Sequence, residues 1–235
     1  MLFPELHIRD VNSMKPSGAF LLGLYRRIFK RPEQKVFVVG FHKTGTSSLG
    51  KALQLLGYRV CGSLKEGYGF KNQEQSVQEY LVNEAKPLFK NFDAFQDTPW
   101  FLLYRELYEL FPDALFILSV RDETSWLKSV QNHFGNDSFP YHDYIYGTFD
   151  SLSEEAIYLA RYIKHNNQVR QFFSDKSGKL LEINLERSGR PWRDLCEFLK
   201  VKEPSFSFPH ANKGGSRGKL SRRFKKLLKK YFYRS

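Results

Sequence analysis

The stretch Val36-Phe37-Val38-Val39-Gly40-Phe41-His42-Lys43-Thr44-Gly45-Thr46-Ser47-Ser48-Leu49 governs the reading of this 235-residue chain. It opens with an uninterrupted β-branched and aromatic run, the pattern of a strand buried on both faces of a parallel sheet. A loop, Gly40–Gly45, follows. Leu49, Ala52, Leu53 and Leu56 then share one face of a helix predicted over Thr46–Leu56, with Gly57 as its stop. A strand that feeds a glycine-bounded loop and then a helix is the setting of a phosphate loop. There the leading helix amides point at an anion and the helix dipole adds to the attraction. The spacing Gly40-x-x-x-x-Gly45 matches a nucleotide P-loop, but a Walker A lysine would directly follow the second glycine. Thr46 stands there, and Lys43 lies inside the loop, which weakens a triphosphate-hydrolysing reading.

Outward from the loop, strands and helices alternate. Strands are predicted at Tyr58–Cys61, Phe92–Phe95, Ala114–Val120 and Leu180–Asn184. Helices are predicted at Ser76–Phe89, Trp100–Leu110, Thr124–His133, Ser153–Phe173 and Trp192–Leu199, with Ser153 as a cap followed by Glu154 and Glu155. The alternation implies an α/β fold, three α/β/α layers around a mostly parallel central sheet. In such folds ligands gather at the carboxyl ends of strands. Arg121-Asp122 sits at one such end.

The segment Phe37–Leu49 resembles the 5′-phosphosulfate loop of sulfotransferases that use 3′-phosphoadenosine 5′-phosphosulfate (PAPS). These are P-loop folds whose lysine lies within the loop. The segment Arg121-Asp122-Glu123-Thr124-Ser125-Trp126-Leu127-Lys128-Ser129 is similar to the family's 3′-phosphate motif, with Glu123 where the family usually has proline. An arginine at a strand end and a serine two helical turns on can converge on one phosphate, the first as a charged fork and the second as a neutral donor. Leu180–Asn184, Pro191–Leu199 and Phe208–Gly214 resemble the C-terminal part of bacterial-type members. Lys213-Gly214 is similar to an Arg-Lys-Gly element that closes on the 3′-phosphate in other branches. The resemblance covers about Val36 to Gly214 and implies a PAPS-dependent sulfotransferase acting without a metal. Lys43 would face the leaving phosphate, and Thr44, Gly45, Thr46, Ser47 and Ser48 would hold the 5′-phosphate. Arg121, Ser129, Lys213 and Gly214 would hold the 3′-phosphate.

A hydroxyl acceptor needs a base. Asp97, just after the strand Phe92–Phe95 and within Asp97-Thr98-Pro99, is the first candidate; capping the following helix is its competing role. His42, beside Lys43, is the second. His133, His142, His165 and His210 read as structural or surface residues. The aromatic stretch Phe139–Phe149 reads either as a lid over the acceptor or as a loop pinned to the core. Asp122 offers a competing reading as a magnesium-holding acid, ranked below its place in the resemblance.

Charge sets the rest of the organisation. The chain has 37 Lys+Arg against 25 Asp+Glu, a net +12. Lys213–Ser235 holds 10 basic and no acidic residues, and the first 35 residues hold 7 basic and 3 acidic, so 36–212 is near neutral with 20 basic and 22 acidic. This distribution excludes a uniformly cationic nucleic-acid packer. It divides the chain into a basic segment 1–35, a sulfotransferase-like domain 36–216 and a basic amphipathic helix 217–235. The tail's Leu220, Phe224, Leu227, Leu228 and Tyr231, and the start's Phe20, Leu21, Leu24, Ile28 and Phe29, recur at helical spacing among basic residues. Such segments suit an anionic membrane surface first, packing on the body second and nucleic acid third. No apolar run reaches the ~20 residues of a membrane span, and the basic cluster Arg26–Arg31 follows the apolar run where a signal peptide would have it first. Two cysteines, Cys61 and Cys196, make no disulfide framework. The expected site of action is cytoplasmic, peripheral at the inner membrane face, with a glycan or lipid hydroxyl as acceptor. The competitors are a P-loop kinase or NTPase and a non-catalytic, membrane-associated nucleotide-binding protein.

Overall fold

The computed structural model describes residues 34–70, 75–135 and 139–211, together with Tyr25, Ile28, Phe29 and Pro32. Among the described residues, five strands form one sheet: β1 Val36–Val38, β2 Val60–Cys61, β3 Ala94–Phe95, β4 Leu115–Ser119 and β5 Leu180–Ile183. Their order is β2-β3-β1-β4-β5, and every pairing is parallel. β1 lies at the centre, with Val36 opposite Ala94 on one side and Leu115 on the other. Among the described residues, six helices lie between strands, α1 Thr46–Leu55, α2 Val77–Ala85, α3 Tyr104–Leu110, α4 Glu123–Phe134, α5 Pro140–Tyr146 and α6 Glu155–Phe173, and α7 Pro191–Phe198 follows β5.

Successive strand side chains point to opposite faces, and the sheet divides its core accordingly. Phe37, Val39, Phe95, Phe116 and Leu118 pack under α2 to α6. Val36, Val38, Ala94, Leu115 and Ile117 pack under α1 and α7, against Leu49, Leu53, Trp192 and Leu195. Three α/β/α layers result, as the alternation of elements implied. All of β1 and β4 is buried, which explains why their sequences run apolar without alternation. Rings fill the thicker layer: Trp126 stacks on Tyr162 at 4.2 Å and 7°, and Phe37 lies against Phe95 at 5.0 Å.

Four local expectations are corrected. Ser153 does not cap α6: its hydroxyl donates to Asp150 Oδ2 at 2.6 Å, its N–H to Asp150 Oδ1 at 3.1 Å, and the helix starts two residues later. An aspartate-headed turn has taken the serine. The helix predicted over Ser76–Phe89 ends at Ala85 and tightens into a 3₁₀ turn, Lys86–Leu88, because Pro87 has no N–H to continue it. The helix predicted from Trp100 opens as a 3₁₀ turn, Trp100–Leu103, before α3. The aromatic stretch Phe139–Phe149 contains a helix, α5, whose Tyr141, His142, Ile145 and Tyr146 are buried; the core-pinned reading describes this segment.

Candidate active site

β1 runs out into the loop at a point with no spare room. A Cβ on Gly40 would lie 2.1 Å from Ser119 Oγ and 2.3 Å from the Ser119 carbonyl oxygen, so only glycine lets the loop leave flush against β4. Side chains from distant elements then take up the loop's carbonyls. His165 Nε2 lies 2.8 Å from the Val39 carbonyl, Thr44 Oγ1 donates to that of Phe41 at 2.6 Å, and Trp126 Nε1 donates to that of His42 at 2.9 Å. With its single proton spent on Phe41, Thr44 accepts from the Ser119 hydroxyl at 2.6 Å. Thr44 thus anchors the loop through its side chain. Gly45 precedes α1 at φ 97°, and its carbonyl accepts from the N–H groups of Ser48 and Leu49 at 2.9 and 3.1 Å. The amides of Thr46 and Ser47 come before these, in the first turn of a helix whose leading N–H groups have no intrahelical acceptor. Thr46 is buried, while Lys43, Ser47 and Ser48 are partly exposed.

Lys43 has φ 67° and Asp97 φ 78°, left-handed conformations that are strained for residues with a Cβ. Asp97 lies two residues after β3, so both residues sit beyond the carboxyl ends of adjacent parallel strands. Asp97 Oδ1 accepts the Thr98 N–H at 2.9 Å and Oδ2 the Ser63 hydroxyl at 3.4 Å. Its backbone carbonyl, not its side chain, accepts the Trp100 N–H at 3.0 Å, so the side chain does not cap the following turn. Burial raises the Asp97 carboxyl above its ordinary value, against the opposing pull of Thr98, Ser63 and Lys43. Burial likewise lowers the Lys43 ammonium, while Asp97 pulls it the other way. Two opposite charges are thus within electrostatic reach, each pushed toward its neutral form. Tyr68 and Tyr141 also feel Asp97, with ring centroids 5.3 Å apart. Tyr68 remains 42% exposed.

His42 is placed differently. Its ring is buried, with Nε2 2.6 Å from the Tyr146 hydroxyl and Nδ1 3.4 Å from Thr98 Oγ1. Burial first, then His142, Lys43 and His133, hold it well below the ordinary imidazole value. It packs among Phe134, Phe101 and Tyr146 as a neutral ring.

Arg121 lies two residues beyond the carboxyl end of β4, with its N–H and C=O both bonded to the Tyr162 hydroxyl at 2.9 Å. Its guanidinium makes a fork on Glu186: Nε to Oε2 at 3.1 Å and Nη2 to Oε1 at 2.6 Å. Asp122 caps α4, accepting the Ser125 N–H at 3.1 Å. Ser129 lies two turns into α4 and is partly exposed. Lys213 and Gly214 lie outside the described residues. Just before them, the Ala211 N–H donates to Ser48 Oγ in the first turn of α1 at 3.0 Å. Among the described residues no group of His, Cys, Asp or Glu could hold a metal ion.

Sequence reasoning missed Ser63, Ser119, Tyr146 and Glu186. Only Glu186 carried a usable signal, since it follows the strand Leu180–Asn184 at the carboxyl edge where ligands bind. Ser63, Ser119 and Tyr146 reach the site by tertiary packing alone.

A family model described as a sulfotransferase domain matches residues 35–217. The chain is also similar to Ava biosynthesis cluster protein M of Aspergillus versicolor, with 24% identity over 212 residues that cover 75% of this chain and 80% of that protein.

Proposed function

The chain belongs to the sulfotransferase family, and on that premise we propose that it moves a sulfuryl group from PAPS to a hydroxyl acceptor, a glycan or a lipid. One observation carries this reading. The loop bearing Lys43 and the strand end bearing Arg121 leave the carboxyl ends of hydrogen-bonded parallel strands, in register at Val38 and Ile117. A bisphosphorylated donor has two anionic ends, and this arrangement offers a cation beside each.

In the proposed reaction the Asp97 carboxylate takes the acceptor's proton, and the acceptor oxygen attacks sulfur. The bond between sulfur and the bridging oxygen breaks, and its electron pair stays on the 5′-phosphate. Lys43 stabilises that charge, and the amides and hydroxyls around Gly45, Thr46, Ser47 and Ser48 hold the phosphate. Arg121 and Ser129 hold the 3′-phosphate, a role also assigned to Lys213 and Gly214. Thr44 supports the loop through Phe41 and Ser119. Asp97 ranks ahead of His42 as base, because both His42 ring nitrogens already face protein hydroxyls. Tyr68 and Tyr141 supply an aromatic rim beside Asp97 against which an acceptor ring can lie.

The basic ends address an anionic membrane surface from the cytoplasmic side. Tyr25, Ile28 and Phe29, within the first of them, are 53%, 61% and 69% exposed. Among the described residues no helix is long and apolar enough to cross a membrane. The second basic segment, 217–235, lies outside the described residues. Flotation with phosphatidylserine vesicles should lose the protein when Leu220–Ser235 is deleted; retained binding would refute a membrane role for the tail.

The enzymatic proposal is tested with labelled PAPS over a panel of glycan and lipid hydroxyls. Transfer should occur in the wild type and fall by about 100-fold or more in Lys43→Ala, the usual scale for removing one charge-stabilising group, with an unchanged melting curve. Undiminished transfer by Lys43→Ala would remove the assigned role.

A further inference from the structure

The fork that the proposed function assigns to the donor's 3′-phosphate is held by a carboxylate of the protein itself. Glu186 presents both oxygens to Nε and Nη2 of Arg121, at 3.1 and 2.6 Å, the side-on geometry in which arginine binds a planar or tetrahedral oxyanion. The carboxylate arrives on a built turn. Asn184 Oδ1 accepts the N–H groups of Glu186 and Arg187 at 3.0 and 3.3 Å, and the Asn184 carbonyl accepts that of Ser188 at 2.8 Å. The same turn leans on the other half of the site. A Cβ on Gly45 would come within 2.7 Å of Leu185 Cδ1, so Leu185 lies directly over the phosphate-loop glycine. Arg187 stands 3.6 Å from Asp122, beside Arg121 in the chain. One short segment thus touches the phosphate loop through Leu185 and the Arg121 strand end through Glu186 and Arg187.

Resting on the sulfotransferase reading, we propose that Glu186 is an internal stand-in for the donor's 3′-phosphate, which must displace it from Arg121 for the donor to bind. A carboxylate and a phosphate dianion on one guanidinium repel each other, and Glu186, its side chain 51% exposed, has solvent to move into. Until the donor binds, the carboxylate compensates the charge of Arg121, whose side chain is 25% exposed. It also sets a threshold that selects ligands with a 3′-phosphate strong enough to replace it. The opposite arrangement, in which Glu186 stays on Arg121 and orients it for the phosphate, predicts the opposite sign for the test.

That test is calorimetric titration of the full chain with adenosine 3′,5′-bisphosphate and, separately, with adenosine 5′-monophosphate, which lacks the 3′ group. Glu186→Gln keeps the size of the side chain and removes its charge. It should tighten bisphosphate binding by about two- to five-fold, the scale of a partly exposed ion pair, and leave monophosphate binding unchanged. Glu182→Gln is the charge control, since Glu182 is an equally charged residue of β5 that pairs with Arg170 at 2.7 Å; it should change neither. Bisphosphate binding that is unchanged or weaker in Glu186→Gln, or tightening shared by the monophosphate or by Glu182→Gln, overturns the proposal. A wild type that binds no bisphosphate overturns the sulfotransferase reading and this inference with it. A wild type that binds well without a Glu186 effect overturns the inference alone.

Discussion

Lys43 and Asp97 are both held at positive φ, and both have their ionisation moved toward neutrality by burial. Strain of this kind costs about 1–3 kcal/mol per residue and persists only where the surroundings impose it. The mechanism needs Asp97 deprotonated and Lys43 protonated. Because the Asp97 value is raised, the acid limb of kcat/KM should lie above the ordinary carboxylate range; because that of Lys43 is lowered, the alkaline limb should begin below the ordinary lysine range. Asp97→Asn should cost at least ~100-fold and abolish the acid limb. Full activity in Asp97→Asn would return the base role to His42. At this scale Lys43, Gly45 and Arg121 could be read from the sequence, because loop spacing and strand ends are local patterns. For Glu186 the sequence offered only its place after a strand end; its pairing with Arg121, 65 positions away, is a tertiary contact that no local pattern carries.

At the scale of elements, the β1–loop–α1 unit was legible because its determinants are consecutive: a buried run, a glycine-bounded loop and an apolar helical face. Helix boundaries were less so. Pro87 and the Asp150 turn reset two of them through local chemistry that competes with periodicity. The seven-residue α5 was hidden because its aromatic residues suit a loop, a short helix or a strand equally. The loop's fixed shape depends on the closeness of Gly40 to β4. Gly40→Ala forces a Cβ against both the Ser119 side chain and its backbone, so the variant should lose at least ~1–3 kcal/mol of stability. Chemical denaturation measures this; a midpoint within error of wild type would show that β4 yields freely and that the loop is not fixed by this contact.

At the scale of the whole molecule, His42, His142 and His165 sit neutral in the aromatic layer. Burial, the first cause in each, brings His142 to about 4 and His165 to about 3, and holds His42 well below its ordinary value. The unfolded chain binds these protons near pH 6.5, so between that pH and the folded-state values it carries more protons than the native state. Stability should therefore be full above about pH 6.5 and fall progressively as the pH drops toward 4. In His142→Phe, followed by urea midpoint against pH, the decline should be shallower; an identical slope would mean that His142 is not buried neutral.

The net +12 takes its meaning at this scale too. A near-neutral body needs only a few placed cations for one small polyanionic donor, and the surplus belongs to the ends. The central claim is that the body is built for a donor phosphorylated at both 3′ and 5′ positions and not for a triphosphate with magnesium. Isothermal titration of the full chain against adenosine 3′,5′-bisphosphate and against ATP with magnesium tests this most directly. Tighter binding of the bisphosphate, weakened by Arg121→Ala, is the predicted result; tighter binding of magnesium ATP would contradict it.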